Sequence, residues 1–162
     1  MPIVPGQSVP DAVLREMTPD GIKDVPTDAF LAGRKIIMFG VPGAYTPVCS
    51  TSHLPGFIAE FDKLKAEGFD AIACVSVNDP FVMSAWGEMH GAPGKVHMLC
   101  DPDAALTRAL GLDLDLGSFG LGVRSQRYSM VVENGVATSV NVEASIFDHE
   151  VSAASRLLAP AG

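Results

Sequence analysis

An apolar run leads into a loop with one cysteine in the stretch Lys35-Ile36-Ile37-Met38-Phe39-Gly40-Val41-Pro42-Gly43-Ala44-Tyr45-Thr46-Pro47-Val48-Cys49-Ser50. The apolar run predicts a buried strand, and residues 51–65 that follow predict an amphipathic helix. Cys49 would then stand where a helix begins, and the unpaired N–H groups and dipole of a helix start favour a thiolate over a thiol. The stretch therefore predicts a strand–loop–helix unit with a nucleophilic cysteine at its junction.

The apolar stripe of the predicted helix is interrupted near its start. Apolar residues recur at three- and four-residue steps along 54–64, as in a helix with one face on a core. Pro55 and Gly56 lie within this pattern, and proline lacks the N–H group that a mid-helix hydrogen bond needs. We therefore expect a kink or a break near Leu54.

Strand and helix patterns alternate along most of the chain. They predict an N-terminal hairpin over 13–25, strands over 69–77 and 96–100, helices beginning near Asp79 and Asp101, a loop over 111–126, a hairpin over 127–142 and a terminal helix over 150–159. Alternating units of this kind favour a parallel sheet, to which the later hairpin adds an antiparallel edge. We predict one α/β domain over 1–162: a thioredoxin-like central mixed sheet flanked by helices, with an N-terminal β-hairpin extension.

The composition is that of an acidic globular domain. The chain has 162 residues, 48% of them hydrophobic, and its formal net charge is −8. Because phosphate neutralisation needs clustered Lys and Arg, this charge argues against nucleic-acid binding. No apolar run reaches the roughly 20 residues that span a bilayer, and the first residues show no secretory signal. We therefore expect a soluble, cytoplasmic protein without nucleic-acid or membrane partners.

The cysteines and histidines form no metal or disulfide signature. The three cysteines are Cys49, Cys74 and Cys100, and an odd number without a secretory signal argues against a disulfide framework. No C-x-x-C or H-E-x-x-H spacing is present, and a group of Cys100, His97 and His90 has only generic spacing. We therefore assign no metal site.

Cys49 is the candidate nucleophile because it lies in a shaped loop and not in a core run. Thr46 stands three residues earlier, where its hydroxyl can turn back toward the sulfur or a bound oxygen. Pro42 and Pro47 restrict the backbone, so the pocket is formed before a ligand arrives. The alternative is an inert, buried cysteine, which is common because Cys packs as a small hydrophobic residue.

The loop resembles the P-x-x-x-T-x-x-C active-site motif of peroxiredoxins of the type II, or peroxiredoxin-5-like, group. The resemblance covers almost the whole chain and includes His53-Leu54-Pro55-Gly56-Phe57, Val75-Ser76-Val77-Asn78-Asp79-Pro80-Phe81-Val82-Met83 and Gly120-Leu121-Gly122-Val123-Arg124-Ser125-Gln126-Arg127-Tyr128. It implies a thiol-dependent peroxidase that reduces hydrogen peroxide and alkyl hydroperoxides without a metal or an organic cofactor.

The resemblance also implies roles for residues of the loop. Cys49 is similar to the peroxidatic cysteine, which peroxide oxidises to a sulfenic acid. Thr46 is similar to the hydroxyl that bonds thiolate and peroxide, and Pro42 to the proline that shields the sulfur from water. Gly43 and Val48 complete the implied substrate-binding site beside Cys49.

Arg127 resembles the arginine that reaches the active site from a later strand. A fixed cation there would favour the thiolate and bond the peroxide oxygens. Arg124 is the second candidate because it is close in sequence. For either arginine the alternative is an ordinary salt bridge at the surface.

The thiol that resolves the sulfenic acid is the open question. Many relatives carry a resolving cysteine near the C-terminus, whereas this sequence has no cysteine after Cys100. Cys74 lies 25 positions after Cys49, a spacing that resembles plant and bacterial type II members. It sits in a predicted central strand, and a disulfide needs Cα atoms within about 7 Å. Cys74 is therefore either a resolving thiol that requires local unfolding or a packing residue.

The resemblance also implies partners. An external thiol, such as glutathione with glutaredoxin or thioredoxin, would complete turnover, and the group commonly forms homodimers through the face that bears the active-site loop. Two alternatives use the same fold: a thiol–disulfide oxidoreductase, which the absence of C-x-x-C disfavours, and a non-catalytic redox-sensing or chaperone module.

Overall fold

A seven-stranded mixed sheet forms the centre of the computed structural model, which describes residues 1–158. The strands are β1 (Val13–Thr18), β2 (Gly21–Pro26), β3 (Lys35–Val41), β4 (Ala71–Ser76), β5 (His97–Cys100), β6 (Asp113–Asp115), β7 (Val123–Ser125), β8 (Tyr128–Glu133) and β9 (Val136–Val142). In the large sheet they occur in the order β2-β1-β5-β4-β3-β8-β9, and β6 pairs with β7 in a separate small sheet.

The pairing directions confirm the predicted thioredoxin-like mixed sheet. Strands β3, β4 and β5 run parallel, while β8 and β9 continue the sheet antiparallel from β3. The predicted N-terminal hairpin, β1 and β2, joins the opposite edge through β5. The parallel strands β3 and β4 are buried on both faces, as their continuous apolar sequences indicate. Their carboxyl ends, Val41 and Ser76, therefore meet at one edge of the sheet.

In the described part of the chain, five short α-helices pack around this sheet: α1 (Thr27–Leu31), α2 (Leu54–Ala59), α3 (Phe61–Ala66), α4 (Pro80–His90) and α5 (Ala105–Ala109). The start of α4 follows the prediction: Asp79 accepts a hydrogen bond from the Val82 N–H at 2.9 Å, and Pro80 takes the first position. Gly91, with φ of 80°, ends that helix. Within 1–158, no helix combines the length and apolar character needed to cross a bilayer.

The helix that carries Cys49 is divided into three segments. It begins at Pro47, forms a π-helical turn over Cys49–His53, and becomes α-helical at Leu54. The predicted irregularity near Leu54 is therefore present as a π-to-α transition, directly before the proline that cannot donate a backbone hydrogen bond. A second break at Glu60 separates α2 from α3, so the prediction of one helix over 51–65 is wrong.

Two other predictions differ from the structure. Residues 111–126 are not only loop, because β6 and β7 pair there and a 3₁₀ turn covers Gly117–Phe119. The predicted terminal helix is reduced to a 3₁₀ turn over Ala154–Leu157, and Ala159 lies outside the described residues. Phe81, at the start of α4, is 68% exposed.

The buried carboxylate of Glu143 holds the chain that follows β9. One oxygen, Oε1, accepts hydrogen bonds from the Glu150 N–H at 2.7 Å, the Ser152 N–H at 2.8 Å and the Ser152 hydroxyl at 2.9 Å. Burial alone would raise the pKa of Glu143, but these hydrogen bonds and nearby His149 outweigh it, so the pKa is lowered. The ionised carboxylate therefore folds residues 143–152, which we call the C-terminal segment, back on itself.

We expect Glu143→Gln to lower the free energy of unfolding by about 1–3 kcal/mol at pH 7, because hydrogen bonds to a charged group are lost. A depressed pKa stabilises the fold above the unfolded-state value, near 4.3, and this contribution disappears as the pH falls through the lower folded value. The difference between wild type and variant should therefore shrink between pH 5 and pH 3 in urea unfolding experiments.

Glu133→Gln is the matched control, because Glu133 is exposed at the end of β8. Its unfolding free energy should stay within about 0.5 kcal/mol of wild type. A Glu143→Gln deficit that is the same at pH 3 and pH 7 would contradict a charged carboxylate at this position.

Candidate active site

The loop after β3 is anchored to the end of β4 by Asn78. The Asn78 side-chain oxygen accepts the Ala44 N–H at 3.0 Å and the Ser76 hydroxyl at 2.5 Å. The sequence predicts a helix start near Asp79, which accounts for Asp79 but not for this contact of Asn78. Asn78 is therefore a loop-positioning residue that the sequence analysis missed.

The loop is also closed by its own hydrogen bonds. The Thr46 hydroxyl donates to the Gly43 carbonyl at 2.7 Å, and the Thr46 carbonyl accepts the Ser50 N–H at 3.0 Å. Tyr45 has φ of 65°, and Pro42, at the start of the loop, is buried. Because the Thr46 hydroxyl proton is engaged by Gly43, its lone pairs remain available to accept a hydrogen bond from a peroxide O–H. The roles of Thr46 and Pro42 in binding stay predictions.

Cys49 is fully buried. Arg127, the residue directly before β8, reaches it with its side chain. Arg127 Nη2 donates to Cys49 Sγ at 3.2 Å, although the two residues are 78 positions apart. Arg127 is itself only 2% exposed, so its charge acts on the sulfur with little screening from water. A donor cation at this distance stabilises a thiolate over a thiol. The structure thus brings together the two residues that the resemblance pairs.

The guanidinium of Arg127 is held on its other sides by two acceptors. The Ile146 carbonyl accepts from Nε at 3.1 Å and from Nη2 at 3.0 Å, and Nη1 lies 3.1 Å from His53 Nδ1. His53 Nε2 in turn lies 3.2 Å from the Ser152 carbonyl. Sequence reasoning missed both acceptors. The spacing of His53, four residues after Cys49 on one helix, is the signal that could have identified it.

The partners of His53 determine its protonation state. Arginine can only donate and a carbonyl can only accept, so Nδ1 accepts from Arg127 and Nε2–H donates to Ser152. Burial, followed by the charges of Arg127 and nearby His149, lowers the pKa of His53 well below its usual value. His53 is therefore a neutral imidazole with its proton on Nε2.

Arg124, the second candidate, lies over the loop backbone and not on the sulfur. Its Nε donates to the Leu121 carbonyl at 2.8 Å, and its Nη1 donates to the Pro42 carbonyl at 3.4 Å. A Cβ atom at Gly43 would come within 2.7 Å of Arg124 Nη1, so the end of the Arg124 side chain would have to move aside for any larger residue there. Arg124 thus supports the loop, and Arg127 is the arginine at the sulfur.

The other positions near the predicted substrate site contribute shape. Gly43 is buried and Val48 is half-buried beside Cys49. Trp86 Nε1 donates to the Ser50 hydroxyl at 3.0 Å and ties α4 to the π-helical turn. Trp86 is fully buried, so it belongs to the core. Among residues 1–158, no group of three or more His, Cys, Asp and Glu side chains is placed to hold a metal ion.

Cys74 and Cys100 are buried free thiols that lack a cationic partner of the kind that Cys49 has. Cys74 lies in the middle of β4, between Phe39 on β3 and Met98 on β5. Burial, with smaller effects of the other two cysteines, raises the pKa of Cys74 well above its usual value. Burial, with Asp79 and Glu16, raises the pKa of Cys100 to about 12. Both remain protonated at neutral pH, so neither is a ready nucleophile.

Comparison with known proteins agrees with this geometry. The Redoxin family model matches residues 4–158. Peroxiredoxin-2D of Arabidopsis thaliana is 46% identical over 143 residues, which are 88% of each chain. A crystal structure of reduced Prx3 from Vibrio vulnificus in complex with hydrogen peroxide is 50% identical, with a TM-score of 0.91 over 96% of each chain. Peroxiredoxin 5 from Alvinella pompejana is 39% identical, with a TM-score of 0.80 over 90% of this chain and 92% of the other.

These relatives confirm the predicted fold and enzyme class, because they are peroxiredoxins that match nearly the whole chain at moderate to high identity. The chain is a thiol-dependent peroxidase, whose substrates are a peroxide and a reducing thiol. It belongs to the Redoxin family, in the type II, peroxiredoxin-5-like group of peroxiredoxins.

Proposed function

We propose that Cys49 is the peroxidatic cysteine and that it reduces hydrogen peroxide and alkyl hydroperoxides. The contact of 3.2 Å between Arg127 Nη2 and Cys49 Sγ carries the proposal, because it places a buried cation on the only cysteine in the loop. The hydrogen peroxide bound to the similar Prx3 of Vibrio vulnificus supports the choice of substrate.

The first half-reaction follows from this geometry. The Cys49 thiolate attacks one peroxide oxygen, a sulfur–oxygen bond forms, and the oxygen–oxygen bond breaks. The electron pair moves to the leaving oxygen, which takes a proton and departs as water or an alcohol. Arg127 can bond the oxygen on which charge develops, while Thr46 can accept from the peroxide O–H and orient it. Cys49 is left as a sulfenic acid.

The second half-reaction uses a thiol from outside the chain. That thiol condenses with the sulfenic acid to a mixed disulfide and releases water, and a second thiol then frees Cys49. Glutathione with glutaredoxin is the proposed reductant, with thioredoxin as the alternative. The burial and raised pKa of Cys74 support an external thiol, since a protonated thiol attacks slowly. Such a reductant suits the cytoplasmic location expected from the sequence, which stays a prediction.

Removal of the Cys49 sulfur should abolish peroxide reduction. We expect Cys49→Ser to react no faster with hydrogen peroxide than buffer does. Arg127→Lys should lower the second-order rate constant about 10- to 100-fold, because lysine lacks the guanidinium fork. Stopped-flow fluorescence can follow the reaction, since the single tryptophan, Trp86, is hydrogen-bonded to Ser50 beside Cys49.

Arg108→Lys is the matched control, because Arg108 is exposed on α5 and donates only to the Asp103 carbonyl. It should keep the wild-type rate constant. If Cys49→Ser and wild type consume peroxide equally slowly, the chain is a binding or sensing module without turnover, and the proposal is wrong.

Substitution of Cys74 should leave most turnover intact when glutathione and glutaredoxin are supplied. We expect Cys74→Ala to keep at least about half of the wild-type rate, because a fully buried, protonated thiol takes no part in resolution. Mass spectrometry of the oxidised wild type without reductant should show a Cys49 sulfenic or higher acid. A Cys49–Cys74 disulfide, together with lost turnover in Cys74→Ala, would establish Cys74 as the resolving thiol.

We also propose that the chain forms a homodimer through the face that bears the active-site loop. Four aromatic side chains that are more than half exposed support this: Tyr45, Phe81, Phe119 and Phe147. Tyr45 lies in the loop itself, and the rings of Phe119 and Phe147 pack edge to face at 6.2 Å. Exposed aromatic side chains are enriched at protein interfaces.

Phe119→Glu should shift the protein toward monomer in sedimentation velocity experiments, because it puts a charge into the apolar contact. Ile22→Glu is the control, since Ile22 is 50% exposed on β2, an edge strand of the seven-stranded sheet. It should sediment as wild type does. A wild-type protein that is monomeric at all concentrations would overturn the dimer.

A further inference from the structure

His53 connects the arginine at the active site to the C-terminal segment. We propose that the neutral His53 ring is the positioning residue for Arg127: it donates through Nε2 to the Ser152 carbonyl and presents its Nδ1 lone pair to Arg127 Nη1. In this way it holds the guanidinium against Cys49 Sγ. The inference rests on the roles of Cys49 and Arg127 in the proposed function and adds a residue that does not touch the substrate.

The acceptors around Arg127 show why a positioning residue is needed. A buried guanidinium must give its N–H groups to acceptors, and one carbonyl, that of Ile146, binds one side through Nε and Nη2. The opposite corner, Nη1, has His53 Nδ1 as its partner. With acceptors on both sides the guanidinium cannot tilt away, and Nη2 keeps its second contact, with the Cys49 sulfur. Loss of the His53 acceptor would leave the buried Nη1 donor of Arg127 unpaired and allow this side of the guanidinium to move.

Packing holds the His53 ring in the required plane. Its centroid lies 4.9 Å from that of Phe39 on β3 and 5.6 Å from that of Phe57 on α2. His149 of the C-terminal segment approaches to 5.1 Å and completes the set of rings around it. The charged or titratable neighbours of His53 are thus Arg127, Cys49 on the preceding turn, and His149. Because Nη1 of the cationic Arg127 guanidinium lies 3.1 Å from His53 Nδ1, a second positive charge on the imidazole ring is disfavoured.

The His53 ring also connects the C-terminal segment, through Arg127, to the Cys49 sulfur. Glu143 fixes Ser152 through its N–H and hydroxyl, and the Ser152 carbonyl then accepts from His53. Because one tautomer must serve both ring nitrogens, docking of the segment selects the form that accepts from Arg127. A ring that lost Ser152 could place its proton on Nδ1 and present a donor to the guanidinium.

Two isosteric substitutions separate the functions of the two ring nitrogens. The amide oxygen of asparagine takes the place of Nδ1, so His53→Asn keeps an acceptor for Arg127. The amide nitrogen of glutamine takes the place of Nε2, so His53→Gln keeps only the donor to Ser152. We expect His53→Gln to lower the second-order rate constant with hydrogen peroxide about tenfold and His53→Asn less than about threefold. His97→Gln, at the opposite end of the parallel strands, is the control and should react as wild type.

A double-mutant cycle distinguishes positioning from general support of the fold. In an Arg127→Lys background, His53→Gln should cause no further loss of rate, because the two residues act through one contact. An equal loss in both backgrounds, or a rate for His53→Gln that matches wild type or His53→Asn, would overturn the inference. Thermal unfolding midpoints identify any variant that fails to fold, and the Asn and Gln pair is compared only at matched stability.

The design also separates this inference from the proposed function. If Arg127→Lys is slow while His53→Gln is as fast as wild type, Arg127 keeps its role and the positioning role of His53 is wrong. If Arg127→Lys itself reacts at the wild-type rate, the role of Arg127 fails, and the role of His53 fails with it.

Discussion

The hydrogen bond from a buried guanidinium to a buried sulfur is the contact on which the site depends. Taking Arg127 out of water is costly unless acceptors surround it, so its position requires Cys49, His53 and the Ile146 carbonyl together. The sheet makes this possible because β8 pairs antiparallel with β3, which brings the residue before β8 back to the edge where β3 ends. The close approach at Gly40, where a Cβ atom would collide with the Tyr128 ring, fixes that pairing beside the site.

The C-terminal segment belongs to the active site, although it supplies no side chain to the sulfur. It contributes the carbonyls of Ile146 and Ser152, and the ionised Glu143 holds it in place. Backbone carbonyls suit this purpose because they accept but never donate, and so they orient both a guanidinium and an imidazole without ambiguity.

The sequence predicts those parts of the molecule whose causes are local. The strand ending at Val41 and the cap at Asp79 follow from apolar runs and from proline geometry. The pairing of Cys49 with Arg127 came from resemblance, because no periodic pattern relates residues 78 positions apart. Sequence reasoning misses the contacts of Asn78 and Ile146 for different reasons. Asn78 lies in a motif that a helix start already explains. Ile146 contributes its backbone carbonyl, which every residue type has. The small sheet of β6 and β7 was missed because its strands have only three residues each.

The three thiols show how environment alone can confine chemistry to one residue. All three are buried, and burial by itself favours the neutral thiol. For Cys74 the charge of Arg127 offsets that effect only in part, and the pKa values of both Cys74 and Cys100 are raised. Cys49 is the thiol of the three whose sulfur accepts a hydrogen bond from a buried guanidinium, and it lies at the start of a helix. A sulfenic acid formed there meets no ionised thiol from its own chain in the folded state. The position of the buried Arg127 guanidinium thus distinguishes Cys49 from the other two cysteines.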